Sequence, residues 1–161
     1  MQEKLYFEGS TLYAKFILLI PEMPQRVWEY ITQTEKIYKW FPDIEVGKLD
    51  KQGYLIFKLP QQDIHMPISA FKSEKLLSYT WGANGTVRFE IIQLQEGTQL
   101  EFLNILPEDF PNRSRDVTGW SIALEQLRNA ILDKPVEYNL ELHQERKKKY
   151  DAAIASLQKN Q

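Results

Sequence analysis

The sequence predicts an α+β fold, in which a curved antiparallel sheet of about six to seven strands wraps around one long helix near the C-terminus. Three observations carry this. Val117, Trp120, Leu124, Leu127 and Ile131 recur at alternating steps of three and four, which is one face of a helix over residues 114–132. Upstream of it, short runs of alternating apolar and polar residues are separated by turn residues, the period of half-buried strands. The chain of 161 residues, 43% hydrophobic and 26% charged, has the size and composition of one globular core.

Taken in order, residues 5–7 and 12–20 read as strands around Glu8-Gly9-Ser10, with Ala14, Phe16, Leu18 and Ile20 on one face and Pro21 ending the second. The period then changes. Pro24, at the first turn of a helix, precedes Val27, Trp28 and Ile31, and a second short helix begins at Thr34 and carries Ile37, Tyr38 and Phe41. Trp40-Phe41-Pro42 closes this pair, which is expected to seal one end of the sheet.

After Pro42 the strands follow as a meander: 44–49, 54–59, 64–73, 76–81, 86–94 and 98–106, with turns such as Asp50-Lys51-Gln52-Gly53 and Gly82-Ala83-Asn84-Gly85. Alternation assigns one face to Leu55, Phe57, Leu59, Leu77, Tyr79, Trp81, Val87, Phe89, Ile91, Leu100 and Phe102, and that face is the one for the long helix. Ser114 is placed to cap that helix, Asp116 lies where the dipole favours a carboxylate, and Asp133-Lys134-Pro135 stops it. The division expected is a core domain over residues 1–134 and a polar terminal helix, residues 135–161, docked on it through Tyr138, Leu142, Tyr150, Ile154 and Leu157.

Composition excludes several function classes. A formal charge of −2 argues against a partner held by phosphate contacts, hence no nucleic acid. Without cysteine there are no disulfides and no thiolate metal sites. The early apolar run at 16–20 is too short for a signal segment or a membrane span, so a soluble cytoplasmic protein is expected.

No motif in the chain names a reaction. His65 lies in a strand and His143 in the polar tail, neither with a clustered ligand set, so both are read as surface residues and no metal or cofactor is expected. Ser114 lacks both a nucleophile-elbow context and a partner histidine. Glu108-Asp109 sit in a proline-bounded loop and Glu101 alternates outward, which gives no paired acid and base, so no catalytic residue is assigned. Asn84-Gly85-Thr86 and Asn112-Arg113-Ser114 match a glycosylation pattern but read as a hairpin turn and a helix start. Arg146 to Lys149 form a basic run on a solvated face, and Arg88 and Glu90 point outward as a pair across the sheet. Asn104 falls on the inward face, where its amide either anchors the following loop or points into a cavity.

The order strand, two short helices, antiparallel meander and long helix is the helix-grip arrangement. RVWEYITQTEKIYKWFP at residues 26–42, TWGANGTVRFEI at 80–91, GTQLEF at 97–102 and Val117-Thr118-Gly119-Trp120 resemble a START-like (SRPBCC) domain. Within that superfamily the chain is most similar to the family related to the activator of the heat-shock-protein-90 ATPase. The resemblance implies a cavity between helix and sheet that in relatives takes lipids, sterols or polyketides. On the inward faces its lining falls to Trp40, Phe41, Phe57, Tyr79, Trp81, Phe89, Phe102, Asn104, Trp120 and Leu124, with Trp81 and Trp120 equally readable as core. Three functions follow from it: a small apolar-ligand binding protein, a chaperone-ATPase-activator-like interaction module with a chaperone partner, and a cyclase- or aromatase-type enzyme. The first is preferred, because the third needs a positioned acid or base that the sequence does not reveal.

Overall fold

In a computed structural model, which describes residues 1–160, the chain runs β1 (Gln2–Glu8), β2 (Thr11–Ile20), α1 (Pro24–Thr32), α2 (Thr34–Ile37), β3 (Ile44–Lys48), β4 (Tyr54–Lys58), β5 (Asp63–Lys72), β6 (Leu76–Trp81), β7 (Gly85–Gln93), β8 (Thr98–Leu106), α3 (Arg113–Ile131) and α4 (Leu140–Lys159). All strands join one antiparallel sheet in the order β1-β2-β8-β7-β6-β5-β4-β3. The sheet has eight strands rather than six or seven, because the opening segment pairs with β2 along its whole length, from Gln2 opposite Ile17 to Glu8 opposite Thr11.

The inward rows are those that alternation assigns. On β2, Leu12, Ala14, Phe16, Leu18 and Ile20 are buried; on β8 the row is Thr98, Leu100, Phe102, Asn104 and Leu106. Val117, Trp120, Leu124, Leu127 and Ile131 of α3 are all buried, as the stripe requires. Leu59 departs from its expected face and is 38% exposed, because the β4 ladder ends at Lys58 and the chain turns at Pro60. Arg88 and Glu90 pair along β7 at 3.5 Å instead of across the sheet.

Several polar contacts fix α3. Arg26 donates to the Ile131 carbonyl at 2.8 and 3.1 Å, satisfying the end of the helix from α1. Arg128 Nε reaches the Leu19 carbonyl at 3.0 Å, and Arg113 ties the first turn to the Ser10 carbonyl at 2.9 Å. Ser114 is not the cap: the N-cap position is Asn112, in the left-handed region at φ 52°, and the Ser114 hydroxyl pairs with Asp151 of α4. That hydroxyl is used to dock the terminal helix. The docking of α4 is otherwise polar, through Arg146 to Glu125 at 2.6 Å and through Lys149 and Tyr150 to Glu3, with Tyr150 and Ile154 as its buried residues.

Truncating Leu127, fully buried under α3, leaves a cavity that its neighbours cannot fill. Leu127→Ala is expected to cost about 2–5 kcal/mol, read as a lower urea midpoint at unchanged slope; an unchanged midpoint would contradict the packing.

Candidate functional site

Aromatic side chains converge where the first half of α3 crosses the ends of β4 and β6. The Trp120 ring lies 4.9 Å from Trp81, 4.7 Å from Phe102 and 5.3 Å from Phe41, centroid to centroid. Phe57 and Phe41 complete the group in edge-on contacts with Trp81 at 5.6 and 5.9 Å. Its deep side is filled. Trp40 donates its indole N–H to the Tyr30 carbonyl at 2.8 Å, and Tyr79, Phe89, Phe102 and Leu124 are buried in the core beside it. The Tyr79 hydroxyl, fully enclosed, has its pKa pushed up by that burial.

The shallow side is open. Phe41, Phe57 and Trp81 are half-buried and, with Trp120, wall a cleft of about 530 Å³ whose remaining lining is Pro111, Asn112, Arg115, Asp116, Gly119 and His143. A smaller apolar notch of about 190 Å³, lined by Leu59, Ile64 and Met66, shares Phe57 and Trp81 with it. Local chemistry places this wall. Gly82, at φ +64°, turns the chain after Trp81, and a side chain at Gly82 or Gly85 would collide with Phe110 at 2.9 Å, so the hairpin and the β8–α3 loop lie close together. Asn84 donates to Asp109 across the same gap at 2.6 Å. Gly119 is different: a Cβ there meets nothing within 4 Å, so it opens onto the cleft rather than admitting a close neighbour. A larger depression of about 720 Å³ lies beside Met1, Leu19, Gln99 and Arg128, but it has no aromatic wall.

The polar centre of the cleft is Asp116. Trp81 Nε1 donates to its Oδ1 at 3.0 Å and Asn104 Nδ2 to its Oδ2 at 2.9 Å, joining β6, β8 and α3. Burial raises the carboxyl above its ordinary value and outweighs the two hydrogen bonds, which favour the charged form. Asn104 thus anchors the helix start, while its own Oδ1 and the Trp120 Nε1 are buried without a partner among the described residues.

Of the residues expected to line a cavity, Phe41, Phe57, Trp81 and Trp120 do line the cleft; Asn104 acts behind it, and Trp40, Tyr79, Phe89, Phe102 and Leu124 support it from the core. Sequence reasoning missed Arg115, Asp116 and His143, and read Gly119 beside Trp120 as a place where the sheet or a ligand comes close. Asp116 was legible in part, since it lies one helical turn before Trp120 and shares its face. His143 was read as a surface residue and reaches the cleft because α4 folds back over α3. His65 is exposed and stacks on Tyr54 at 4.6 Å. Glu101 faces outward, 3.6 Å from Lys15.

A family model described as "Activator of Hsp90 ATPase homolog 1-like protein" matches residues 23–131. Among solved structures, a conserved protein of unknown function from Enterococcus faecalis is 31% identical, with a TM-score of 0.90 over 97% of this chain and 92% of that one. CalU16 from Micromonospora echinospora (18% identity, TM-score 0.71, 94% of this chain and 96% of that one) shares the fold. So does the Aha1 dimer from Colwellia psychrerythraea (15% identity, TM-score 0.63, 74% of this chain and 95% of that one). No curated protein matches the chain.

A raised carboxyl pKa makes folding favour the protonated form. The contribution of Asp116 is therefore most favourable below the unfolded value of 3.8 and is lost as pH rises through the raised folded value. Asp116→Asn removes this titration, and rotation of the Asn104 amide lets its oxygen accept from the new side chain. The stability of wild type relative to the variant is expected to fall as pH rises from about 4 toward neutrality, measured by urea unfolding of both proteins; a pH-independent difference would contradict the burial of this carboxyl.

Proposed function

Given that the chain belongs to the Activator of Hsp90 ATPase homolog 1-like family, we propose that it is a small apolar-ligand binding protein whose ligand lies in the cleft at the start of α3. The observation that carries this is the half-buried aromatic wall of Phe41, Phe57 and Trp81, left open beside a helix–sheet interface that is otherwise filled. Sites for small molecules are concave and mostly apolar, with a few polar groups that orient the ligand. Arg115 and His143 in the lining are such groups.

A chaperone-directed role is the second reading, and the family match is what supports it. It ranks lower because charges on the outer sheet face are used internally, in the Lys15–Glu101 and Arg88–Glu90 pairs, whereas the aromatic cleft has no internal use. Adding the protein to an ATPase of the heat-shock-protein-90 type is expected to leave the hydrolysis rate unchanged. A reproducible dose-dependent increase would reverse the ranking.

The ligand reading is tested by thermal shift against a library of lipids and aromatic compounds. A binder at a hundredfold excess over its Kd adds about 2.7 kcal/mol to the stability of the wild type. Trp81→Ala is expected to lose most of that gain. Gly119→Ala should itself be more stable, by roughly 0.5–1 kcal/mol for a helix-interior glycine, yet gain less from the ligand because its methyl group enters the cleft. A library with no binder, or binders indifferent to both substitutions, would remove the cleft as the site.

A further inference from the structure

Resting on the ligand-binding reading, we infer that the ligand is an aromatic acid: its ring system lies against Phe57 and Trp81, and its carboxylate is received by Arg115 and His143, so that α4 completes the site.

Arg26, Arg88, Arg113, Arg128 and Arg146 each hold a carbonyl or a carboxylate. Arg115 is exposed, lines the cleft, and is the one arginine among the described residues whose side chain has no hydrogen bond or ion pair. A planar guanidinium with free N–H groups beside an aromatic wall is suited to two-pronged recognition of a carboxylate. The His143 imidazole faces the same space and has no side-chain partner among the described residues.

The charged acceptor is already engaged. Asp116, the one carboxylate in the lining, receives an N–H at each oxygen, from Trp81 and from Asn104. The unpaired charge of the cleft is therefore the Arg115 cation, and its complement beside an aromatic floor is an aromatic molecule that carries acceptor oxygens and negative charge. A cationic ligand would meet Arg115 and find Asp116 satisfied.

The placement of His143 makes this a property of more than the shared fold. The family model ends at residue 131, before α4 begins at Leu140, so the imidazole lies beyond the matched segment. It is carried to the cleft by the packing of α4 on α3, secured by Arg146 on Glu125 at 2.6 Å.

Isothermal titration of the full chain with 2-naphthoate, its neutral amide 2-naphthamide and the cation 2-naphthylmethylammonium tests the inference. The carboxylate is expected to bind about tenfold or more tightly than the amide, the range of one charge-assisted hydrogen bond, and the ammonium most weakly. Arg115→Gln should remove most of that preference and leave the amide's Kd unchanged, and His143→Ala should reduce it by a smaller factor. Both variants should melt like the wild type, since neither side chain has a partner to lose. Equal affinity of acid and amide, a preference for the ammonium, or Arg115→Gln weakening acid and amide alike would overturn the acid inference. If the amide still binds in a manner lost in Trp81→Ala, the cleft reading survives that result. If none of the three probes binds, both fall.

Discussion

The position of one indole constrains most of this molecule. Trp120 meets rings from β6, β7, β8 and the segment after α2, through Trp81, Phe89, Phe102, Trp40 and Phe41. A side chain of that size, fully inserted, fixes how deep α3 sits on the sheet. What remains is a rim. Phe41, Phe57 and Trp81 cannot be covered by the same helix that covers Phe89 and Phe102, because Trp120 already occupies the crossing. The cleft is thus a consequence of close packing rather than a gap in it.

A second constraint is electrostatic. Placing Asp116 in the first turn of α3 puts a carboxylate near the positive end of the helix dipole, which is favourable, but the side chain turns inward, where desolvation works against its charge. The two N–H donors offset part of that cost and in return tie Trp81 and Asn104 to the helix. Apolar residues at these positions would pack more simply. The polar triad gives instead a wall whose tryptophan is held in one orientation beside open space.

The terminal helix is held by different means. Its buried surface is small, resting on Tyr150 and Ile154, and the rest of its attachment is polar. Glu3 is the focus on the sheet side: burial pushes its carboxyl up, but hydrogen bonds from Lys149 and Tyr150 prevail and hold it below its ordinary value. Partly exposed pairs of this kind contribute little individually and are weakened by salt. The element that brings His143 to the cleft is therefore held largely by polar contacts, and its docking is open to change with salt.

The sequence by itself determined the strands, the helices and which side of each faces inward, because these follow from period two and period 3.6 and need no knowledge of distant residues. The alternating row on β8 and the stripe on α3 were legible to the residue, and the resemblance to the family rested on the same segments. So was the aromatic character of the cleft, since Phe41, Phe57, Trp81 and Trp120 fall on inward faces. Tertiary structure decided what periodicity does not encode. Whether an inward aromatic becomes wall or core depends on where the Trp120 indole lies, which is why Trp40, Phe89 and Phe102 are enclosed while Trp81 is half-open. Ser114, read as a cap, became a tether to Asp151, and Asp116, read as a dipole partner, became the acceptor for two other strands. His143 reached the cleft only through the folding back of α4. Each of these contacts joins residues from separate elements, so its geometry is set by how the layers stack, and no local pattern in the chain carries that information.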